Sequence, residues 1–279
     1  MTIGIIGLGL IGGSFAKAFK KNTEHKVYGF DIDETVILKA QLINAIDCSL
    51  NDDNIIDCDY IIITTYPDDA IDFLKSKAKY ISKNTVVFDC CGTKKKVCNS
   101  AFELAEKYGF KFIGGHPMAG TQYSGLKYSR NDMFKNANMI LVPQQSTDIE
   151  TIENLKNMLL EIGFKSITIS SAEQHDIIIA YTSQLAHIVS NAYVKSPNST
   201  VHKGFSAGSF RDLTRVAKLN PKMWTELFLE NKTNILFELD NIIEQLKKYK
   251  YAIETENKCE LFNLLDEGSK LKEISEING

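Results

Sequence analysis

Short β-branched runs recur along the first part of the chain, at Ile3 to Ile6, Lys26 to Phe30, Tyr60 to Thr64, Thr85 to Asp89, Lys111 to Ile113, Met139 to Val142 and Ser166 to Ile169. Helical stretches separate them, and this alternation predicts βαβ units around a mostly parallel sheet. Beyond Ser170 the strand signals stop. Ser171 with Gln174 has the form of a capping box, and Ile177, Ile178, Tyr181, Leu185, Ile188, Val189 and Ala192 follow at helical spacing. A second helix is predicted to open at Asn220, with Pro221 in its first turn, and to run through Trp224, Leu227, Asn231, Ile235, Leu239 and Ile242 to Tyr249, longer than about 25 residues. A third amphipathic stretch begins near Glu254. The expected division is an α/β domain over residues 1–169 and an all-helical domain over 170–279. Helices this long and apolar exceed what so short a domain covers, so a homodimer through the C-terminal helices is expected.

The first strand leads into Gly7-Leu8-Gly9-Leu10-Ile11-Gly12-Gly13, which opens a helix. In this context a GxGxxG pattern is a dinucleotide fingerprint: Gly7 allows the tight turn, Gly9 the approach of a pyrophosphate, and Gly12 close helix–strand packing. Free N–H groups at Leu10 and Ile11 then face the anion. The second strand ends at Asp31, twenty-two residues after Gly9. A carboxylate there accepts from a ribose diol and repels a 2′-phosphate, so NAD is expected over NADP. Flavin binding uses the same fingerprint. The sheet is therefore expected to be Rossmann-type.

Two further segments carry candidate chemistry. Thr93 follows the fourth predicted strand, where open α/β sheets bind ligands, and is read either as a substrate-facing hydroxyl or as a helix cap. His116 lies in Gly114-Gly115-His116-Pro117-Met118-Ala119-Gly120, expected to be a sharply turning loop. A histidine there can take an alcohol proton as hydride leaves the same carbon.

Composition narrows the classes. With 44% hydrophobic residues, 24% charged residues and a net charge of -3, the chain is an ordinary globular protein without the basic surplus that nucleic acid demands. Its apolar runs fall short of the roughly 18 residues of a membrane span, and the N-terminus has no basic region of a signal peptide. The six cysteines form no CxxC pair, which suits reduced thiols in the cytoplasm. The five histidines show no metal-site spacing, so no metal is expected.

Gly9 to Ser14, Gly115-His116-Pro117-Met118-Ala119-Gly120, Ser183-Gln184-Leu185-Ala186-His187 and Phe210-Arg211-Asp212-Leu213-Thr214-Arg215 together resemble the prephenate/arogenate dehydrogenase family of tyrosine biosynthesis, in order and spacing. The similarity covers nearly the whole chain, and its length resembles the catalytic core without a fused mutase or regulatory domain. The resemblance implies oxidative decarboxylation of prephenate to 4-hydroxyphenylpyruvate, with hydride passing to NAD. It implies that His116 deprotonates the ring hydroxyl and that Thr93 stands where the family usually has Ser. It also implies that Arg215 binds a substrate carboxylate, that His187 binds the substrate side chain or a tyrosine feedback inhibitor, and that Asp212 orients Arg215 or neighbouring backbone. Two positions depart from the family pattern: Gln184 replaces a frequent His, and Gln122 replaces a frequent acid. They bear on gating, pH dependence and side-chain selectivity. Arogenate dehydrogenase is the nearest alternative, and a catalytically silent NAD sensor a remoter one. A β-hydroxyacid dehydrogenase would carry a Gly-Gly-x-x-Lys helix motif, which is missing.

Overall fold

A computed structural model describes residues 1–278. Its strands are β1 (Thr2–Ile6), β2 (Lys26–Phe30), β3 (Cys48–Ser49), β4 (Tyr60–Ile63), β5 (Val86–Asp89), β6 (Lys111–Pro117), β7 (Asn138–Pro143) and β8 (Ser166–Ile169). They form one sheet in the order β3-β2-β1-β4-β5-β6-β7-β8. The pairs from β3 through to β6 are parallel, β6 and β7 are antiparallel, and β7 and β8 are parallel to each other. The chain reverses direction of travel across the sheet at the β1/β4 junction, where Rossmann-type sheets bind ligands. Helices α1 (Leu10–Asn22), α2 (Glu34–Leu42) and α5 (Ile149–Glu161) cover one face around Phe15, Phe88 and Phe134. Helices α3 (Pro67–Lys77) and α4 (Lys95–Tyr108) cover the other. Strand β4 is Tyr-Ile-Ile-Ile and buried at every residue, as a central strand between two helical layers requires.

After β8 come α6 (Ala172–Ile179), a π-helical segment (Ala180–Leu185), α7 (Ala186–Tyr193), α8 (Gly208–Thr214), α9 (Pro221–Glu230), α10 (Lys232–Glu254) and α11 (Lys258–Asn278). Among the described residues, no helix is long and apolar enough to cross a membrane.

Four features differ from the sequence reading. The two-residue strand β3 is too short to leave a periodic signal. His116 is not on a turning loop but in β6, paired with Ile140 of β7. Its two preceding glycines serve close packing rather than a turn: a Cβ on Gly115 would stand 2.3 Å from the Asp89 carbonyl oxygen. The long helix from Asn220 is broken at Asn231, whose buried amide donates to the Asp176 carbonyl at 2.7 Å and to Gln184 Oε1 at 2.6 Å. Finally, the first C-terminal helix buries its polar face. His175, Asp176, Gln184 and Ser190 are buried, whereas Ile177, Ile178 and Tyr181 are exposed.

Candidate active site

The glycine turn joins β1 to α1 at the carboxyl edge of the sheet. Gly7 has φ +86°, a left-handed conformation that favours glycine. A Cβ on Gly12 would lie 1.9 Å from the Gly7 carbonyl oxygen, so only glycine lets α1 begin this close to the strand. A Cβ on Gly9 would meet nothing within 4 Å, which leaves an open approach to the first turn of α1. That turn has no side-chain cap, and Leu10 and Ile11 head it with backbone N–H groups. Beside the turn, Thr65 Oγ1 is buried without a hydrogen-bond partner. Open space, free donors and an orphaned hydroxyl fit a phosphate-bearing nucleotide. Asp31 closes the pattern: its carboxylate accepts from Leu8 N at 2.8 Å and Asp33 N at 3.0 Å, which fixes it at the end of β2.

Two and three strands away from β1, β5 and β6 deliver the second cluster. Asp89 and Lys94 form a fully buried ion pair, and the same carboxylate accepts from Cys91 N and Gly115 N, each at 2.9 Å. The pair thereby ties the end of β5 to the strand that carries His116. Burial pushes the thiols of Cys90 and Cys91 well up, so both stay protonated and neither is a nucleophile. Thr93 is buried and does not cap α4. Its hydroxyl donates to Glu230 Oε2 at 2.5 Å, while the α4 N-terminus is capped by Asp176, which accepts from Lys94 N at 2.7 Å and Lys95 N at 2.9 Å. Glu230 also pairs with Lys96 at 3.0 Å, and Lys96 pairs with Asp68. Asp68, Glu226 and Glu230 bring carboxylate oxygens within 4.8 Å of one another, with Lys96 paired to Asp68 and Glu230.

His116 is half-buried, with Nδ1 2.9 Å from His175 Nε2. His175 Nδ1 in turn lies 2.7 Å from Asp176 Oδ1. Burial, with His175 and Lys94 nearby, holds the His116 pKa well below the ordinary histidine value. His116 is therefore neutral at physiological pH, the form a proton acceptor needs.

His187 lies on α7, and its position depends on the π segment. Twelve residues of uninterrupted α-helix would set it about 120° around the axis from His175; a π turn absorbs one residue and returns it to within about 20°. His187 packs on Trp224 of α9 with ring centroids 4.1 Å apart, and Nδ1 donates to the Ser183 carbonyl at 2.8 Å. Burial lowers its pKa, and the positive charge of Arg215 acts in the same direction. Arg215 and Asp212 are both exposed, and among the described residues no ion pair or hydrogen bond joins them. The two residues sit three apart across the end of α8, each exposed.

Gln184 is buried between helices, donating to the Leu227 carbonyl at 3.2 Å and accepting from Asn231. It is a structural amide, whereas Gln122 is exposed on the loop after β6. The sequence reading missed His175, Asp176, Lys94, Asp89 and Glu230. A His-Asp pair interrupting the first turns of an otherwise apolar helix was the available signal; Glu230 carried none.

Family models described as "Prephenate dehydrogenase, nucleotide-binding domain" and "Prephenate dehydrogenase, dimerization domain" match residues 15–168 and 171–267. A prephenate dehydrogenase of Bacillus subtilis is 34% identical over 94% of this chain and 72% of its own. Among solved structures, prephenate dehydrogenase of Aquifex aeolicus in complex with hydroxyphenyl propionate and NAD+ is similar at TM-score 0.83 and 30% identity, covering 99% of this chain and 98% of that one. Arogenate dehydrogenase of Synechocystis is similar at TM-score 0.83 and 26% identity, covering 99% of this chain and all of the other.

Proposed function

The chain belongs to the prephenate dehydrogenase family, and from that premise we propose that it oxidatively decarboxylates prephenate to 4-hydroxyphenylpyruvate with NAD, as a step of tyrosine biosynthesis. The observation that carries this reading is a neutral histidine, His116, near the end of β6 in the same sheet whose β1 leads into a nucleotide-shaped glycine turn. NAD, when bound, accepts the hydride from the carbinol carbon. His116 removes the hydroxyl proton, and loss of carbon dioxide leaves an aromatic ring, which makes the step downhill. Thr93 offers a hydroxyl at the same edge. Arg215 is the cation for a substrate carboxylate, where a planar guanidinium binds two oxygens at once. Measuring NADH formation with prephenate and then with arogenate tests the reading, which fails if neither substrate reduces NAD.

His187 supports arogenate as a second reading. With Nδ1–H given to Ser183, its neutral Nε2 is an acceptor suited to an ammonium group. Tyrosine, with the same amino-acid side chain, is then expected to inhibit competitively. The free thiols and the absence of any membrane-crossing helix among the described residues suit a cytoplasmic enzyme.

Two expected results arise here. Asp31→Ala removes the carboxylate that repels a 2′-phosphate, so the NAD/NADP preference measured as a ratio of kcat/KM should relax by roughly one to three orders of magnitude. An unchanged ratio would show that Asp31 does not read the ribose. The second concerns assembly: Ile177, Ile178, Tyr181, Leu236, Phe237 and Leu246 expose apolar surface on one chain. Burying it against a second copy predicts a homodimer, and light scattering should give twice the 31.3 kDa chain mass.

A further inference from the structure

His175 and Asp176, adjacent on α6, take no part in the steps above, yet both are buried and both lie behind His116. The Asp176 carboxylate has only donors around it: the backbone N–H groups of Lys94 and Lys95, and His175 Nδ1 at 2.7 Å. Neutral His175 must then carry its proton on Nδ1, which leaves a lone pair on Nε2. That nitrogen is 2.9 Å from His116 Nδ1, so His116 must in turn carry its own proton on Nδ1.

We propose that His175 and Asp176 are positioning residues that hold neutral His116 in the Nδ1–H tautomer, so that its Nε2 presents the lone pair that accepts the substrate's hydroxyl proton. The inference rests on the dehydrogenase reading. In the step, the O–H bond breaks and its proton forms the Nε2–H bond. The oxygen electron pair closes the carbonyl as the C–H pair leaves as hydride to NAD. The new imidazolium keeps its Nδ1–H on His175, whose own Nδ1–H remains on Asp176, so the added charge faces a carboxylate through one imidazole. The other charged groups facing this chain are Lys94 and its partner Asp89, from the junction of β5 and α4.

Three variants and one spectrum test this. Asp176→Asn keeps one of the two cap oxygens, the acceptor for Lys95 N, while its N–H donor in the place of Oδ1 faces His175, which reverses both tautomers and places a proton on His116 Nε2. It should lower kcat by about 10²- to 10⁴-fold, the worth of a general base, with little change in KM. His175→Phe, which removes the acceptor, should lower kcat by at least about tenfold and displace the acid limb of kcat/KM. His175→Gln, whose amide oxygen still accepts from His116 Nδ1–H, should recover most of that loss. Nitrogen-15 NMR of histidine-labelled wild-type protein with NAD should show His116 protonated at Nδ1 and bare at Nε2 at neutral pH. A bare Nδ1 in that spectrum, or a His175→Phe enzyme with wild-type kcat and acid limb, overturns the inference. Failure of the underlying reading looks different: wild-type protein then makes no NADH from either substrate, and the spectrum alone still decides the tautomer.

Discussion

His116→Asn is expected to lower kcat by about 10²- to 10⁴-fold while leaving KM for prephenate nearly unchanged, because the general base acts in the transition state and not in binding. Asn approximates the space of the ring and can hydrogen-bond to His175, but it cannot take up a proton at neutral pH. Arg215→Ala in the same assay should show the opposite pattern, a strong rise in KM, if Arg215 is the cation proposed for a substrate carboxylate. The pH dependence follows from the depressed His116 pKa. The wild-type enzyme should keep kcat/KM down to below pH 6.5 and lose it as His116 becomes protonated, and this acid limb should be missing in His116→Asn. Burial lowers the pKa values of His175 and His187 as well, so the unfolded chain takes up protons before the folded one does. Stability should therefore also fall as pH drops through about 6.5. A His116→Asn enzyme that keeps both its rate and its acid limb places the base elsewhere.

Lys94→Met should be the most damaging substitution for stability. Lys94 and Asp89 are fully buried, and Asp89 raises the Lys94 pKa against the opposing effect of burial, so the ammonium stays charged. Removing it leaves a carboxylate with two backbone donors and no counter-charge, a loss of about 3–5 kcal/mol. Urea unfolding should show a lower midpoint at an unchanged slope. The double variant Asp89→Leu/Lys94→Met should recover part of the loss, since it removes both charges from the low-dielectric interior. Gly115 N loses its acceptor in that double variant, so activity should remain impaired even where stability returns. A single Lys94→Met variant within about 1 kcal/mol of wild type would mean that the pair contributes little.

The sequence by itself determined the alternating α/β region and the glycine turn with Asp31, and it offered Thr93 and His116 as candidates; His187 and Arg215 became candidates only through the motifs shared with the dehydrogenase family. The α/β alternation and the glycine turn are legible because strand and helix periodicity, the φ of Gly7 and the clearance at Gly12 are set within a few residues of chain. What only the tertiary structure decided is how those residues are held. His116 became a strand residue because Gly115 packs against Asp89 on a neighbouring strand, and its partner His175 stands 59 positions away. The predicted helix from Asn220 broke because Asn231 satisfies buried acceptors on α6 and the π segment. Buried polar groups must find partners wherever the fold places them, at costs that outweigh local helix or turn preference. Periodicity along one segment carries no record of the distant donor or acceptor that will complete such a pair, and so the tautomer of His116 and the burial of Gln184 emerge only when the sheet and the helices meet.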